Sequence, residues 1–565
     1  MKTKLDKKRT DHKADHNTEK TTKKSNSNII NDGLISDKLK SLSPQNSPKY
    51  FNKQNNSIST AFIPHNQRFP IQTSKLVKAI PGSNKVIDPS YEIEEKDKIY
   101  LSTEQLSQLI NDVTKTKTSV QEETLLVKPK KKKSKHELKF PEPKNNVLIS
   151  KINDIWNETS HIMPFHHLKV EDSCINGREI TVNGKGVINF GSCSYLGLEH
   201  REELKEKSIE AIHSFGTQYS SSVTYMSLGM YSELQTKYKK IFGANVIIAP
   251  TTTLGHASCI PLIGDEYDLF LLDQQVHNSV QMGVQLAAAK GTKVITLPHN
   301  NMKALEAKIE KLQDQYRRIW YFCDGIYSMY GDCAPLSELE NLRNKYENLH
   351  LYIDDAHGIS WTGQNGCGFA LEKLNHLEKT IVTASHAKGF GGAGGSIIIG
   401  DEDTYNTVSN FGQTLIFSGP IQPSSLGACL ASADIHLSPE INILQNKLKE
   451  KIQLRNNLFH EYNIPFFEGD TPISFICVGS PRSLGTLFHK LFEDGFYTNC
   501  AVYPAVSKYK SGLRTTLTLH VTDKDIYDFV DCVSYHLPAI LKEENITISD
   551  LKKRFKIPEK RLVFS

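Results

Sequence analysis

From about residue 146 onward the chain alternates between two patterns. Short apolar runs recur at Asn245-Val-Ile-Ile-Ala249, Leu269-Phe-Leu-Leu-Asp273, Val294-Ile-Thr-Leu297, Arg318-Ile-Trp-Tyr-Phe-Cys323, Leu349-His-Leu-Tyr-Ile-Asp354, Thr380-Ile-Val-Thr383 and Gly395-Ser-Ile-Ile-Ile-Gly400. They have the length and the unbroken apolar character of strands buried on both faces. Helical periodicity fills the gaps, as at 302–317 and 336–347. Strands alternating with helices imply right-handed crossovers, so the expected architecture is α/β, a mainly parallel sheet with helices on both faces. After Pro420 the pattern changes to a long helical stretch at 424–462, a run at Ile473-Ser-Phe-Ile-Cys-Val478, a helix at 483–494 and Leu513-Arg-Thr-Thr-Leu-Thr-Leu519, which together read as a smaller α+β domain. A cleft between two such domains is the default place for a substrate.

The pattern divides the chain into a tail (1–145), a lead-in segment (146–190), a large domain (191–435), a small C-terminal domain (436–545) and a C-terminal tail (546–565). The first 145 residues carry 29 Lys and Arg against 17 Asp and Glu, a net of +12, so the chain's +5 leaves −7 for the remainder. That basic region is rich in Lys, Asn, Ser and Thr and lacks sustained apolar periodicity. It cannot bury enough surface to offset its ordering entropy, and the expectation is disorder. Two parts of it stand out. Leu and Ile at helical spacing in 100–113, behind Ser102 and Thr103, suit a short amphipathic helix. Six lysines in 128–135 would suit a polyanion contact or an import address, but no aromatic residue interleaves with them, and a solvated linker is the favoured reading. Nucleic acid is not expected on the core.

No stretch of 18 apolar residues occurs and the first residues have no apolar signal region, so a soluble, cytoplasmic protein without a membrane span is expected. The ten cysteines form no CxxC pair and no ligand spacing, so they read as reduced thiols and no metal is expected.

Two segments carry chemistry. Lys388 lies in Ser385-His-Ala-Lys-Gly-Phe-Gly-Gly-Ala-Gly-Gly395, and Asp354 and His357 lie in Asp354-Asp-Ala-His-Gly358. Singly, the lysine could be a solvated loop residue and the aspartate a helix cap. Both segments follow apolar runs, however, which places them at strand carboxyl ends, where open α/β sheets hold their ligands. A lysine there can hold an aldehyde as a Schiff base, and a carboxylate can keep a ring nitrogen protonated. Those are the two services pyridoxal 5'-phosphate requires.

With these segments in place the chain, from about residue 189 to 541, resembles the α-oxoamine synthases, a family of pyridoxal-phosphate transferases of fold type I. The landmarks stand in family order: Asn189-Phe-Gly-Ser-Cys-Ser-Tyr-Leu-Gly-Leu198, Asp324-Gly-Ile-Tyr-Ser-Met-Tyr-Gly-Asp332, Asp354-Asp-Ala-His-Gly358, Lys388-Gly-Phe-Gly-Gly392 and Gly512-Leu-Arg-Thr-Thr-Leu-Thr518. The resemblance implies that His277 stacks on the pyridine ring, that Asp354 pairs with its nitrogen and that His357 bonds its 3-oxygen, with Ser328 on the same side. Ser385 would bind the cofactor phosphate. For Ser328 and Ser385 the bland alternative is a turn or a cap.

Some positions depart from the family pattern. Pro250-Thr-Thr-Thr-Leu-Gly-His256 replaces the usual Ser-Gly-aromatic turn, leaving Thr252 and Thr253 to donate hydroxyls to the phosphate. Ser418, in Phe417-Ser-Gly-Pro420, falls where a neighbouring subunit usually lends a hydroxyl. Tyr503 stands where an arginine often clamps the substrate carboxylate, and one hydroxyl does not replace a bidentate fork. Arg514 is then the candidate carboxylate anchor; the alternative is a structural ion pair at a domain seam.

The resemblance implies condensation of an amino acid with an acyl thioester, on CoA or a carrier protein, followed by decarboxylation to an α-aminoketone. Lys388 would be covalent anchor and general base, with His277, Asp354 and His357 completing the catalytic set. It further implies a homodimer with its active site at the subunit interface. Another pyridoxal-phosphate reaction such as transamination, and a catalytically idle partner of an active homologue, are the alternative readings.

Overall fold

The structure, a computed structural model, describes residues 144–159, 165–507 and 509–557. The basic tail up to residue 143, with its candidate helix at 100–113 and its lysine run, lies outside them, while Lys144 and Asn145 begin the first described helix. The described chain opens with a helix, Lys144–Thr159, and a hairpin of β1 (Glu179–Val182) and β2 (Lys185–Asn189).

A seven-stranded sheet follows, formed by β3 (Asn245–Ala249), β4 (Asp268–Asp273), β5 (Lys293–Leu297), β6 (Arg318–Asp324), β7 (Leu349–Asp354), β8 (Thr380–Ser385) and β9 (Gly395–Ile399). Its order is β3-β9-β8-β7-β6-β4-β5. All neighbours are parallel except β9, which runs antiparallel between β3 and β8. Successive side chains enter different cores. Leu269 and Leu271 of β4, Ile319, Tyr321 and Cys323 of β6, and Leu349, Leu351 and Ile353 of β7 pack on one face, while Phe270, Leu272, Trp320, Phe322 and Tyr352 pack on the other. Because both faces are covered, these strands are apolar without alternation.

The C-terminal part contributes β10 (Ile473–Gly479), β11 (Phe496–Tyr497), β12 (Asn499–Ala501) and β13 (Ser511–Thr516). β13 lies between β10 and β12, antiparallel to both. β11 runs parallel to β2, so the early hairpin shares a core with the C-terminal helices: Val187 and Phe190 pack in the same cluster as Phe496, Phe529 and Val533. The stretch read as one helix at 424–462 is two, Pro423–His436 and Glu440–Glu461, interrupted at Pro439. Residues 548–555, in the C-terminal tail, form a helix whose Leu551 and Phe555 are buried. Among the described residues no helix is long and apolar enough to cross a membrane.

Candidate active site

The parallel strands end together, β4 at Asp273, β6 at Asp324, β7 at Asp354 and β8 at Ser385. Register sets Asp324 directly beside Asp354, and both carboxyls are buried. Burial raises each one, and two adjacent carboxylates cannot both ionise cheaply. The tie is broken by their partners. Asp354 Oδ2 faces His256 Nε2 at 3.0 Å, and Oδ1 accepts the Ala356 amide at 3.1 Å. Burial acts against the charge, but His256, Lys388 and His277 outweigh it and hold Asp354 below the ordinary carboxylate range. Asp324, accepting only the His277 amide (2.9 Å), is driven well above that range by burial and by the Asp354 charge, and carries the proton.

Lys388 sits on a turn closed by the Gly391 amide on the Lys388 carbonyl (3.0 Å), the Gly392 amide on His386 (2.9 Å) and the His386 amide on Gly394 (3.0 Å). Gly391 has φ of 73°, and a Cβ there would stand 2.7 Å from the Leu198 side chain, so a larger residue would shift the lysine. Desolvation lowers the Lys388 amine despite the nearby Asp354 and Asp324, which favours the neutral, nucleophilic form.

His357 is buried, with Nδ1 2.6 Å from the Tyr195 hydroxyl and its carbonyl accepting the Trp361 indole N–H (2.6 Å). Burial, with Lys388 and Arg514 nearby, keeps the imidazole neutral. Arg514, on β13, is buried; its Nε donates to the Ser328 carbonyl at 2.5 Å and a terminal nitrogen to Cys193 Sγ at 3.4 Å. No carboxylate pairs with it among the described residues. A buried guanidinium answered by a carbonyl and a thiol still has donors for an anion. Tyr503 is half-buried in the loop before β13.

The helix Thr252–Cys259 begins beside β8, with Thr251 Oγ1 accepting the Leu254 amide (3.1 Å) as its cap. Thr252 Oγ1 donates to the Ala384 carbonyl (3.3 Å), next to the buried Ser385, while Thr253 is exposed. At Gly395 a Cβ would lie 2.7 Å from the Thr252 backbone, so this helix start closes on β9 only because Gly395 has no side chain. His277 caps the helix Asn278–Ala288, with Nδ1 2.6 Å from Ser279 Oγ and the residue exposed at the mouth of the site. Ser418 turns its hydroxyl inward to the Thr414 carbonyl, beside an exposed Phe417.

The donor set fits pyridoxal phosphate: a desolvated amine for its aldehyde, an ionised buried carboxylate for its ring nitrogen, a neutral imidazole nearby, and a helix start with hydroxyls for its phosphate. Four residues join this constellation without having been singled out from the sequence: His256, Asp324, Tyr195 and Cys193. A surface cavity of about 800 Å³ lined by Lys239, Asn245, His376 and Asp401 shares none of these residues.

The model of the family "Aminotransferase class I and II" matches residues 185–533. The chain is similar to the 8-amino-7-oxononanoate synthases of Petrotoga mobilis, 30% identical over 62% of this chain and 88% of the relative, and Thermoanaerobacter pseudethanolicus, 28% identical over 64% and 90%. Its fold is similar to that of a serine palmitoyltransferase from S. paucimobilis solved with PLP and myriocin, with a TM-score of 0.64, 19% identity, and 70% of this chain and 98% of that one covered.

Proposed function

The chain belongs to the class I and II aminotransferase family and, within it, to the α-oxoamine synthases, and on that footing we propose that it is a pyridoxal-phosphate-dependent acyltransferase. It condenses an amino acid with an acyl thioester, with loss of carbon dioxide, to an α-aminoketone and a free thiol. The observation that carries this reading is the meeting of Lys388 and an ionised Asp354, at the carboxyl edge of the central sheet, with a buried Arg514 from β13 that has no carboxylate partner among the described residues.

Bound there, the cofactor supplies an aldehyde for the amino group and a ring that draws electron density from the amino acid's α-carbon. The residues supply the rest. Asp354 would hold the proton on the ring nitrogen, and the Lys388 amine would anchor the cofactor and serve as the base for the α-proton. Neutral His357, fixed by Tyr195, would bond the ring oxygen. His277 covers one ring face. The start of the helix Thr252–Cys259, with Ser385, takes the phosphate, and Arg514 takes the substrate carboxylate.

The protein would work as a homodimer. Tyr225 and Phe417 are 84% and 83% exposed, and Ser222 Oγ bonds the Ile416 carbonyl at 2.7 Å, so an apolar patch lies beside Ser418, which would reach the neighbour's phosphate. The test is direct. The purified protein with pyridoxal phosphate should show a visible absorption band that one amino acid out of a panel shifts, and with that amino acid an acyl thioester should release thiol and carbon dioxide in equal amounts. Amino-group transfer to a keto acid with no thiol released would replace the proposal by transamination.

A further inference from the structure

The charge on Asp354 is secured from behind, out of reach of any ligand. His256 lies one turn into the helix Thr252–Cys259 and is fully buried. Its Nε2 is 3.0 Å from Asp354 Oδ2 and its Nδ1 2.8 Å from the Tyr352 hydroxyl. Tyr352 and Asp354 are two residues apart on β7 and so face the same side of the sheet. The three side chains therefore form one closed line.

Its direction follows from chemistry. Tyr352 is wholly buried, and that burial keeps the phenol protonated. An ionised carboxylate can only accept, so the Nε2 that faces Asp354 must carry a hydrogen. A phenol that donates to Nδ1 holds the ring in the tautomer whose Nε2 carries that hydrogen. Tyr352 donates to His256, and His256 donates to Asp354, with each polar atom in the line satisfied once.

The neighbouring aspartate shows why this matters. Asp324 and Asp354 are paired across β6 and β7 in equal burial, and Asp324 has only a backbone amide where Asp354 has both an amide and an imidazole. Without the imidazole the two carboxyls would compete for one proton on nearly equal terms.

We propose that His256 is the positioning residue that selects Asp354, rather than Asp324, as the charged aspartate and aims it at the ring nitrogen of the cofactor, with Tyr352 fixing the tautomer that allows it. This rests on the reading of the site as a pyridoxal-phosphate site.

The charged and titratable groups around Asp354 are Asp324 and the Cys323 thiol from β6, His277 from the end of β4, Asp355 and His357 from the segment after β7, Lys388 from the turn after β8 and His256 itself; the Cys259 thiol lies against Tyr352. Changing His256 alone leaves all the others in place. The experiment is equilibrium binding of pyridoxal phosphate as a function of pH, followed by the visible band of the bound cofactor, for the parent, His256→Leu, His256→Gln and Tyr352→Phe. The thermal midpoint of each cofactor-free protein reports folding.

His256→Leu is expected to weaken cofactor binding roughly 10- to 100-fold, the usual cost of losing a partner that orients a ligating group. It should also move the acid limb of binding to higher pH, because Asp354 then protonates more easily. His256→Gln, whose amide N–H reaches about as far as Nε2, should restore most of both, and Tyr352→Phe should fall between. Parent-like affinity and acid limb in His256→Leu would overturn the inference, as would a His256→Gln no better than His256→Leu, since the role would then be packing. Should His256→Leu not fold, His256→Gln and Tyr352→Phe decide: a Tyr352→Phe acid limb identical to the parent's overturns it. A parent that binds no pyridoxal phosphate sinks the reading of the site itself, whereas a parent that binds it beside indistinguishable variants sinks this inference alone.

Discussion

The two sides of the site are held in different ways. On the carboxyl edge of the central sheet the polar groups are tied to one another or to the backbone: Asp354 to His256 and Ala356, Asp324 to His277, and His299 to both Asp273 and Asp332. On the β13 side Arg514 leans on a carbonyl and a thiol, and Tyr503 lies half-buried in a loop. Such an edge is preorganised for a ligand that is the same in every cycle. On the proposed function the β13 side would keep a cation in reserve for one that is exchanged, and there Tyr503 departs from the family pattern. If this contrast is right, changes on the sheet edge should affect the chemistry, and changes on the β13 side should affect which amino acid binds and how tightly.

The largest effect belongs to Lys388. Lys388→Ala should remove the visible band of the lysine-linked cofactor and all measurable turnover while leaving the thermal midpoint of the cofactor-free protein near the parent's, because the amine is desolvated and makes no structural hydrogen bond that is needed to close its turn. A borohydride-reducible cofactor adduct persisting in this variant would place the anchor elsewhere.

Next comes a pair of neighbours in sequence. Asp354 and Asp355 are both buried, yet Asp355 faces the other way, packed beneath Gly325, Gly358 and Gly368, and burial drives its carboxyl well above the usual range, so that it is neutral. Asp354→Asn therefore removes a charge while Asp355→Asn replaces one neutral group by another that can still accept the Ala370 amide. Turnover should fall by orders of magnitude in the first and stay within a few-fold in the second. Equal losses in both variants would mean that burial, and not charge, explains Asp354.

That pair also marks how far the sequence could be read. Most central strands were legible because both their faces are covered, and a covered strand announces itself as an unbroken apolar run; β5, read the same way, is an edge strand buried only at Leu297. Lys388, Asp354 and His357 were legible because they follow such runs, which puts them at strand ends. His256 was not. It sits on a helix read as a loop, and its meaning depends on Asp354 and Tyr352, roughly 100 residues further on, a pairing that only the fold creates. Asp324 was visible within its motif, but its protonation follows from the register of β6 on β7. The helical stretch at 424–462 was overrun because helical periodicity resumes after Pro439.

The β13 side predicts a smaller effect. Arg514→Ala should weaken amino-acid binding by about 1.5–3 kcal/mol, roughly 10- to 150-fold, the value of a charge-assisted hydrogen bond, with cofactor affinity unchanged. Tyr503→Phe should cost less. Titration of the cofactor band with the preferred amino acid measures both. Loss of cofactor binding in Arg514→Ala would erase the distinction between the two sides, and a parent-like Arg514→Ala beside a weakened Tyr503→Phe would hand the anchor to the tyrosine.

The smallest effect is on stability, and it tests how rigid the sheet edge is. His299 bridges Asp273 at 2.8 Å and Asp332 at 2.7 Å, edge-on to Tyr327, joining the end of β4 to the turn after β6. Burial alone would lower this imidazole, but the two carboxylates prevail and raise it from 6.5 to about 9. Because the folded value lies above the unfolded one, the contribution is fully present below about pH 6.5 and is lost as pH rises through about 9. Over that window the loss is at most about 1.4 kcal/mol per pH unit, the free energy of a tenfold change in proton concentration acting on one group. The thermal midpoints of the parent and of His299→Asn should therefore converge between about pH 7 and 10, while groups common to both cancel. A gap that stays constant over that range would show that His299 acts there as a neutral spacer, and the sheet edge would then owe its rigidity to backbone register alone.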